Sequence, residues 1–417
     1  MSTSAVITGV GLATALGAGY DATWQGLRTG RSAIADVAPP GGLYPGRGPA
    51  PAAALPDDLS DVSAFGRKRL RALSRESLLV SRAGLLAWQD AGLDADGAPA
   101  PEDLGVVLGT TGAGLTGYLQ VLHDGLTLGT DLVSPYAGPQ GSLNAAVSDL
   151  AIGADAQGPV LTVTAGRCSG AEALTVAGDL VRTGQAEVVL VAAVDVLDPL
   201  TLDAAGAREP GAGGVPAAGD APAGRPARTP RPFAPEPTGS LPGEAVVVLV
   251  VEGTGRALER GARVHAEIAA VGTALGEAGD TDGAAATRAV ATALAAAGVA
   301  PRDVGLVCSS ADGSGPVDRA EAHALGGAFG AHVPVFATGA ALGDCAGTTT
   351  LLQVALAARA LRCGETPATA GLADWSPTLP RLSVSGAPQR CPAAAAALVL
   401  TTDDRPGAAA VVLRPPR

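Results

Sequence analysis

Short runs in which nearly every residue is apolar alternate along the chain with longer segments whose apolar positions recur at helical spacing. The first kind includes Ala5–Gly9, Leu104–Gly109, Pro159–Thr164, Leu241–Gly253, Val304–Cys308, Val333–Phe336, Ala395–Thr401 and Ala408–Leu413. Such runs read as strands, those at Ala5–Gly9 and Pro159–Thr164 as buried ones. The last two meet across Asp403–Gly407 as a hairpin. Helices are predicted from Asp21, as cap, through Leu27, over Ser74–Ala91 with Gly92 as stop signal, from about Gly170, over Arg319–Phe329 and over Thr349–Leu361. Gly9–Gly17 reads as a Gly-rich turn, Ile34–Ser60 as irregular connection, and the Pro/Gly/Ala-rich Arg208–Glu236 as a mobile surface loop. Strands alternating with helices place the chain in the α/β class.

One unit occurs twice. In 85–111 and again in 287–311 an apolar helix ends in Ala-Gly, a Pro-x-Asp turn follows (Pro101/Asp103, Pro301/Asp303), and a short strand comes next. A fainter echo relates the first strand to 265–274. The bland alternative is that any two such units look alike; the shared turn favours a duplication, with halves 1–255 and 256–417.

The segment Gly158–Asp179 reads as strand, sharp turn and helix. At such an elbow the helix N-terminus favours negative charge and lowers a thiol's pKa. Arg167 and Cys168 stand side by side there, and which of them holds the apex decides whether the chain does chemistry.

Composition narrows the partners. The 28 basic and 40 acidic residues give a net charge of −12, which argues against nucleic acid or an anionic membrane. Lys68 is the single lysine, and aromatics are 3%, so Ala, Val and Leu must build the core. Five cysteines without close pairs or zinc-site spacing suggest reduced thiols, no metal and a cytoplasmic location. The N-terminal segment lacks a basic region and reads as a strand, not a signal peptide. No apolar run approaches the ~18 residues of a membrane helix.

Together the segments Ile7–Gly17, Gly158–Gly170, the Arg231–Phe233 stretch with its following strand, 311–330 and 337–361 resemble the β-ketoacyl synthases of the thiolase superfamily, nearly end to end. The resemblance implies a five-layer αβαβα sandwich of two duplicated halves. An active member would read Thr-Ala-Cys-Ser-Ser-Gly at the elbow, with Ala-His-Gly-Thr and Lys-x-x-x-Gly-His in the second half. Anchored on flanking glycines, the nucleophile position falls on Arg167, the histidine positions on Asp312 and Asp344, and the lysine position on Gly339. The Gly-Phe-Gly-Gly gating loop is missing as well, Arg405–Ala408 standing there. Ala311–Ala322, with Asp318 and Glu321, resembles the chain-length factor (ketosynthase β subunit) of type II polyketide synthases, as does the spacing of 397–413. The usual chain-length factor has Gln at the apex; this chain has Arg167.

Arginine stays protonated and can be neither nucleophile nor base. It needs acidic partners at a helix N-terminus, and pairing with Asp312, Asp344 or both is expected. Cys168 is either a relocated nucleophile or, turned by about 100° from the apex, a structural thiol; the second is favoured. His123, His265, His323 and His332 match no catalytic segment and read as surface or packing residues. Leu115, Tyr118 and Leu122 share one helical face within Gly112–Thr127. That pattern alone suggests core packing; the resemblance implies instead a helix at a dimer interface lining the tunnel of a growing chain, with Tyr118 the bulkiest gate. The implied function is a non-catalytic subunit that shapes this tunnel. Its partners are a ketosynthase α subunit and acyl carrier protein, and substrates ride on the carrier's phosphopantetheine. Whether this chain is itself an enzyme stays open: an acyltransferase or hydrolase using Cys168, and a scaffold binding acyl carrier protein, are the alternatives. An aromatic or a polyene product fits the sequence equally.

Overall fold

In the computed structural model, residues 4–416 are described except for 39–48, 57–72, 95–96, 136, 199, 203–228, 278–281, 392–393, 404 and 406. Lys68 and most of the Pro/Gly/Ala-rich segment, 208–228, lie outside the described residues.

The strands that organise the chain are β1 (Ala5–Thr14), β2 (Leu104–Gly109), β3 (Val160–Val163), β4 (Val188–Asp195), β5 (Ala245–Gly253) and β6 (Ala266–Leu275). They continue with β7 (Val304–Ser309), β8 (Pro334–Ala337), β9 (Ser383–Val384), β10 (Ala396–Thr402) and β11 (Gly407–Arg414). They form one continuous sheet in the order β9-β8-β7-β10-β11-β6-β1-β5-β4-β2-β3. The path β3-β2-β4-β5-β1 has the same order and the same parallel and antiparallel senses as β8-β7-β10-β11-β6. The two paths join where β1 pairs with β6. Both Pro-x-Asp turns, Pro101–Asp103 and Pro301–Asp303, are 3₁₀ turns leading into a strand.

The main helices are α1 (Tyr20–Arg28), α2 (Arg75–Asp90), α3 (Leu115–Thr127), α4 (Ala145–Gly153), α5 (Ser169–Arg182), α6 (Ala284–Ala297), α7 (Gly315–Phe329) and α8 (Thr349–Cys363). Side chains of successive strand residues point to opposite faces, and here both faces are covered. Val188, Leu190, Val246 and Val248 meet α2 and α4, while Val189, Val191, Val247 and Leu249 meet α5 and α8. Leu306, Val399 and Val411 close on α5 and α8 from the other side, and Val307, Leu398 and Val412 meet α6 and α7. The layers therefore run α, β, α, β, α. The central helix α8 is buried almost all round; Ala355, Ala357, Ala358 and Ala360 let the two halves of the sheet close on it without aromatic bulk.

Several expectations are corrected. Gly9 and Gly11 lie within β1 and not in a turn: a Cβ on them would come within 2.2 and 1.9 Å of carbonyl oxygens of α2. Glycine marks a close helix–strand approach there. The helix read from Asp21 starts after Gly19, so Asp21 sits in its first turn. Within Ile34–Ser60 the described residues form a small antiparallel ribbon, Ala35–Val37 with Ala50–Ala52. Residues 229–236 are not a surface loop throughout: Phe233 is fully buried and stacks on Trp375 at 4.9 Å. The strand read as buried at Pro159–Thr164 is the sheet's edge, with Val160 39% and Leu161 42% exposed.

Candidate functional site

The C-terminal ends of β3, β4, β7, β8 and β10 converge, and the chain's unusual residues gather in the loops that follow them. The elbow after β3 turns at Gly166, whose φ of +58° is left-handed, and α5 begins at Ser169. Ser169 pins the turn: its hydroxyl donates to the Gly166 carbonyl and accepts from the Ala165 N–H at 2.9 Å. The helix can start this close to the sheet because Gly109 and Gly170 carry no side chain; a Cβ on either would come within about 3 Å of Ser169 or Leu351.

Arg167 occupies the apex and turns inward, 7% exposed. Its Nη2 lies 3.2 Å from Asp312 Oδ2 and its Nε 3.1 Å from Asp344 Oδ1. These are ionic contacts; the aligned hydrogen bonds of the guanidinium go from Nη1 to the Thr402 carbonyl at 3.0 Å and from Nη2 to the Ser310 carbonyl at 3.3 Å. Burial alone would weaken the charge on Arg167, but Asp344 and Asp312, with Glu321 and Asp403, hold its pKa above the usual arginine value. Asp312 is buried on all sides, and desolvation raises its carboxyl pKa in spite of Arg167. The expected pairing is thus present, and it engages both aspartates.

Gly339 leaves no room for a longer residue: a Cβ there would fall 2.4 Å from Asp312 Cβ and 2.7 Å from its Cα. The side chains of Asp312 and Arg167 and the bare backbone at 339 fit one another as a set. What remains open is a cavity of about 140 Å³, lined by Thr111, Ser240, Asp312, Ser314, Asp344 and Asp403 among others.

Cys168 flanks the start of α5 and is buried. Burial, then the nearby Asp403 carboxylate, pushes its thiol up to about 12. Cys168 is also not among the residues lining the elbow cavity, so its position favours the structural reading. His265 is buried between Asp90 Oδ2 at 2.7 Å and Arg362 at 2.8 Å, and His332 is exposed. Among the described residues no histidine lines the elbow cavity.

Four residues of the cluster were not read from the sequence. Asp403, in the turn after β10, accepts the Arg167 N–H at 2.9 Å. Thr402 and Ser310 supply the carbonyls already named. Asp195, at the end of β4, accepts from the N–H groups of Thr111 and Gly112 and from the Thr110 hydroxyl, and so ties down the loop before α3. Chain-distant loops carry no periodic signal that would have announced them.

Beneath the cluster Glu321 accepts from the hydroxyls of Ser309 and Ser310 and from the Ser310 N–H. Burial nevertheless raises its pKa to about 7. The folded state then holds this proton more tightly than the unfolded chain, so this group's contribution to stability falls as pH rises from about 4.5 to about 7 and is flat above. Glu321→Gln removes the slope. Relative to the parent, the variant gains up to about 3 kcal/mol of unfolding free energy between pH 4 and pH 8. Urea unfolding at both pH values checks this, and an unchanged difference contradicts it.

The helix α3 carries no buried residue, so core packing is not what Leu115, Tyr118 and Leu122 do within this chain. Tyr118 is 52% exposed, and Leu126 on the same helix is 86% exposed. Behind α3 lies a cavity of about 610 Å³, lined by Thr116, Gly117 and Gln120 of its other face together with Leu55, Leu197 and Glu244. Among the described residues no group of three or more His, Cys, Asp or Glu is placed to hold a metal, and no helix is long and apolar enough to cross a membrane.

Residues 3–257 match the β-ketoacyl synthase N-terminal domain and residues 265–373 the β-ketoacyl synthase C-terminal domain. A putative polyketide β-ketoacyl synthase 2 of Streptomyces halstedii is 30% identical over 375 residues, 89% of this chain and 88% of the relative. Among solved structures, the ishigamide ketosynthase/chain length factor superposes with a TM-score of 0.84 at 22% identity over 100% of both chains. A type II polyketide acyl-carrier protein in complex with its hexaketide-bound ketosynthase gives 0.81 at 20%, again over 100% of both chains. The layered fold, the elbow and the two matched domains agree: the chain belongs to the β-ketoacyl synthase family.

Proposed function

We propose that this chain is the non-catalytic chain-length-factor subunit of a type II polyketide ketosynthase heterodimer. The partner α subunit condenses malonyl units delivered on acyl carrier protein, and this chain shapes the tunnel that receives the product. The observation that carries the reading is the elbow: where the family's chemistry needs a thiolate and two neutral imidazoles, this chain holds Arg167 clamped by Asp312 and Asp344, with Gly339 beside them. None of these groups supplies a thiolate or a neutral imidazole, and the Arg167 guanidinium is already taken up by the Thr402 and Ser310 carbonyls and the two aspartates.

An exposed apolar surface supports a partnered role. The edge strand β3 offers Val160 and Leu161, and nearby in sequence Leu126, Leu128, Leu132 and Ile152 are also exposed. An uncovered apolar strand edge invites pairing with another chain, and obligate interfaces bury about 2,000–5,000 Å². Two relatives by fold are a ketosynthase/chain length factor and a ketosynthase carrying an acyl-carrier protein. In this reading the substrates ride on the phosphopantetheine of acyl carrier protein and the complex works in the cytoplasm. Structurally the proposal takes 1–255 and 256–417 as the two duplicated halves, supported by their repeated strand order.

In this reading Leu115, Tyr118 and Leu122 face the partner and limit the tunnel. Tyr118→Ala in the reconstituted heterodimer should lengthen the carrier-bound product by one or more ketide units, read by intact-protein mass spectrometry. A folded complex making products of unchanged length would overturn the role given to this helix.

A further inference from the structure

We infer that the chain occupies its own elbow anion site, and that Asp403, independently of Arg167, is what closes it. This rests on the reading of the elbow as non-catalytic and adds a second cause for it.

A backbone N–H at the start of a helix, at the apex of a strand–helix turn, is a ready donor for the oxyanion that forms when a carbonyl is attacked. Here that donor is already committed. The Arg167 N–H donates to Asp403 Oδ2 at 2.9 Å. The carboxylate is held in place from its other side, Oδ1 accepting the Arg405 N–H at 3.0 Å, and its side chain is only 9% exposed. The approach depends on Gly166: any Cβ there would stand 2.1 Å from Asp403 Oδ2. A left-handed glycine and a buried carboxylate reaching across 236 residues of sequence therefore fit together as a plug.

The consequence separates Asp403 from the Arg167 cluster. Restoring a thiol at the apex would not restore a working elbow, because the negative charge of Asp403 opposes the thiolate and its oxygen fills the place of the developing oxyanion. Asp403 is a positioning residue in this sense; it acts through the N–H that it occupies.

The test uses the isolated full-length chain. R167C is made together with D312N and D344N, so that neither aspartate in ionic contact with Arg167 loses its counter-charge, and compared with the same variant carrying D403A. Two probes are used. With the exposed Cys363 replaced by serine in every variant, iodoacetamide alkylates the introduced thiolate with loss of iodide and reads its thiolate content and access. With p-nitrophenyl acetate the thiolate attacks the carbonyl, a C–S bond forms, p-nitrophenolate leaves, and the thiol proton has gone to water; this rate also reads oxyanion stabilisation. D403A should raise the ratio of acylation to alkylation rate by about 10-fold or more. An unchanged ratio overturns the proposal, even if both rates rise together from the lost charge.

A second measurement keeps Arg167 in place. D403A alone should speed amide hydrogen exchange at position 167 by about 10-fold or more, since that N–H loses its acceptor; unchanged exchange also overturns the proposal. Neither outcome depends on product length in a heterodimer, so the proposal can fail while the chain-length role stands, and the reverse.

Discussion

Arg167→Met destabilises the chain by about 3–5 kcal/mol, because it leaves Asp312 buried without its counter-charge and Asp344 without its ionic partner. The two carboxylates are not equivalent. The Asp312 side chain is 2% exposed and that of Asp344 30%, so water screens the second and most of the loss belongs to the first. The prediction therefore has a structure of its own: Asp312→Asn added to Arg167→Met recovers most of the lost stability, while Asp344→Asn added alone recovers little. Urea unfolding of the four proteins gives the coupling energies directly. A loss below about 1 kcal/mol for Arg167→Met would mean that the cluster does not hold the elbow, and the account of a coordinated replacement would fail with it. A buried ionic group is not in itself evidence of net stabilisation; the claim concerns what happens when one member is taken away.

Leu161→Asp on β3, combined with Leu126→Asp on α3, weakens association with the partner subunit by more than about 100-fold, a loss of roughly 3 kcal/mol. Both residues are exposed in the chain alone, so the fold itself has little to lose, and surface changes of this kind usually stay within about 0.5 kcal/mol of parent stability. Pull-down of a co-expressed ketosynthase, with the melting temperature of the variant as control, reads the two effects apart. Undiminished association would place the partner on another face.

Much of this was legible in the sequence because short-range features dictated it. Pro101–Asp103 and Pro301–Asp303 announced the repeat, and the repeat became two identical strand orders. Arg167, Asp312 and Asp344 could be placed because glycines on either side fix the backbone where the chemistry should be, and the structure brings all three together. The misreadings have physical causes as well. Glycine permits a turn and permits a close approach, and only the packing of α2 against Gly9 and Gly11 decides which. An apolar strand reads alike whether its neighbours come from its own chain or from another, so β3 was read as buried although it forms an edge. Asp403 was missed because nothing local in a hairpin turn tells that its carboxylate will reach an N–H on the far side of the fold.

The central claim is that this chain directs a reaction which its partner performs. Intact-mass analysis of acyl carrier protein and of both subunits, after incubation with malonyl-loaded carrier, tests it most directly. The account predicts no acyl adduct on this chain, an acyl adduct on the partner, and carrier-bound products of one defined length only when both subunits are present. An acyl adduct on this chain, or the same defined products from the partner without it, would contradict the account.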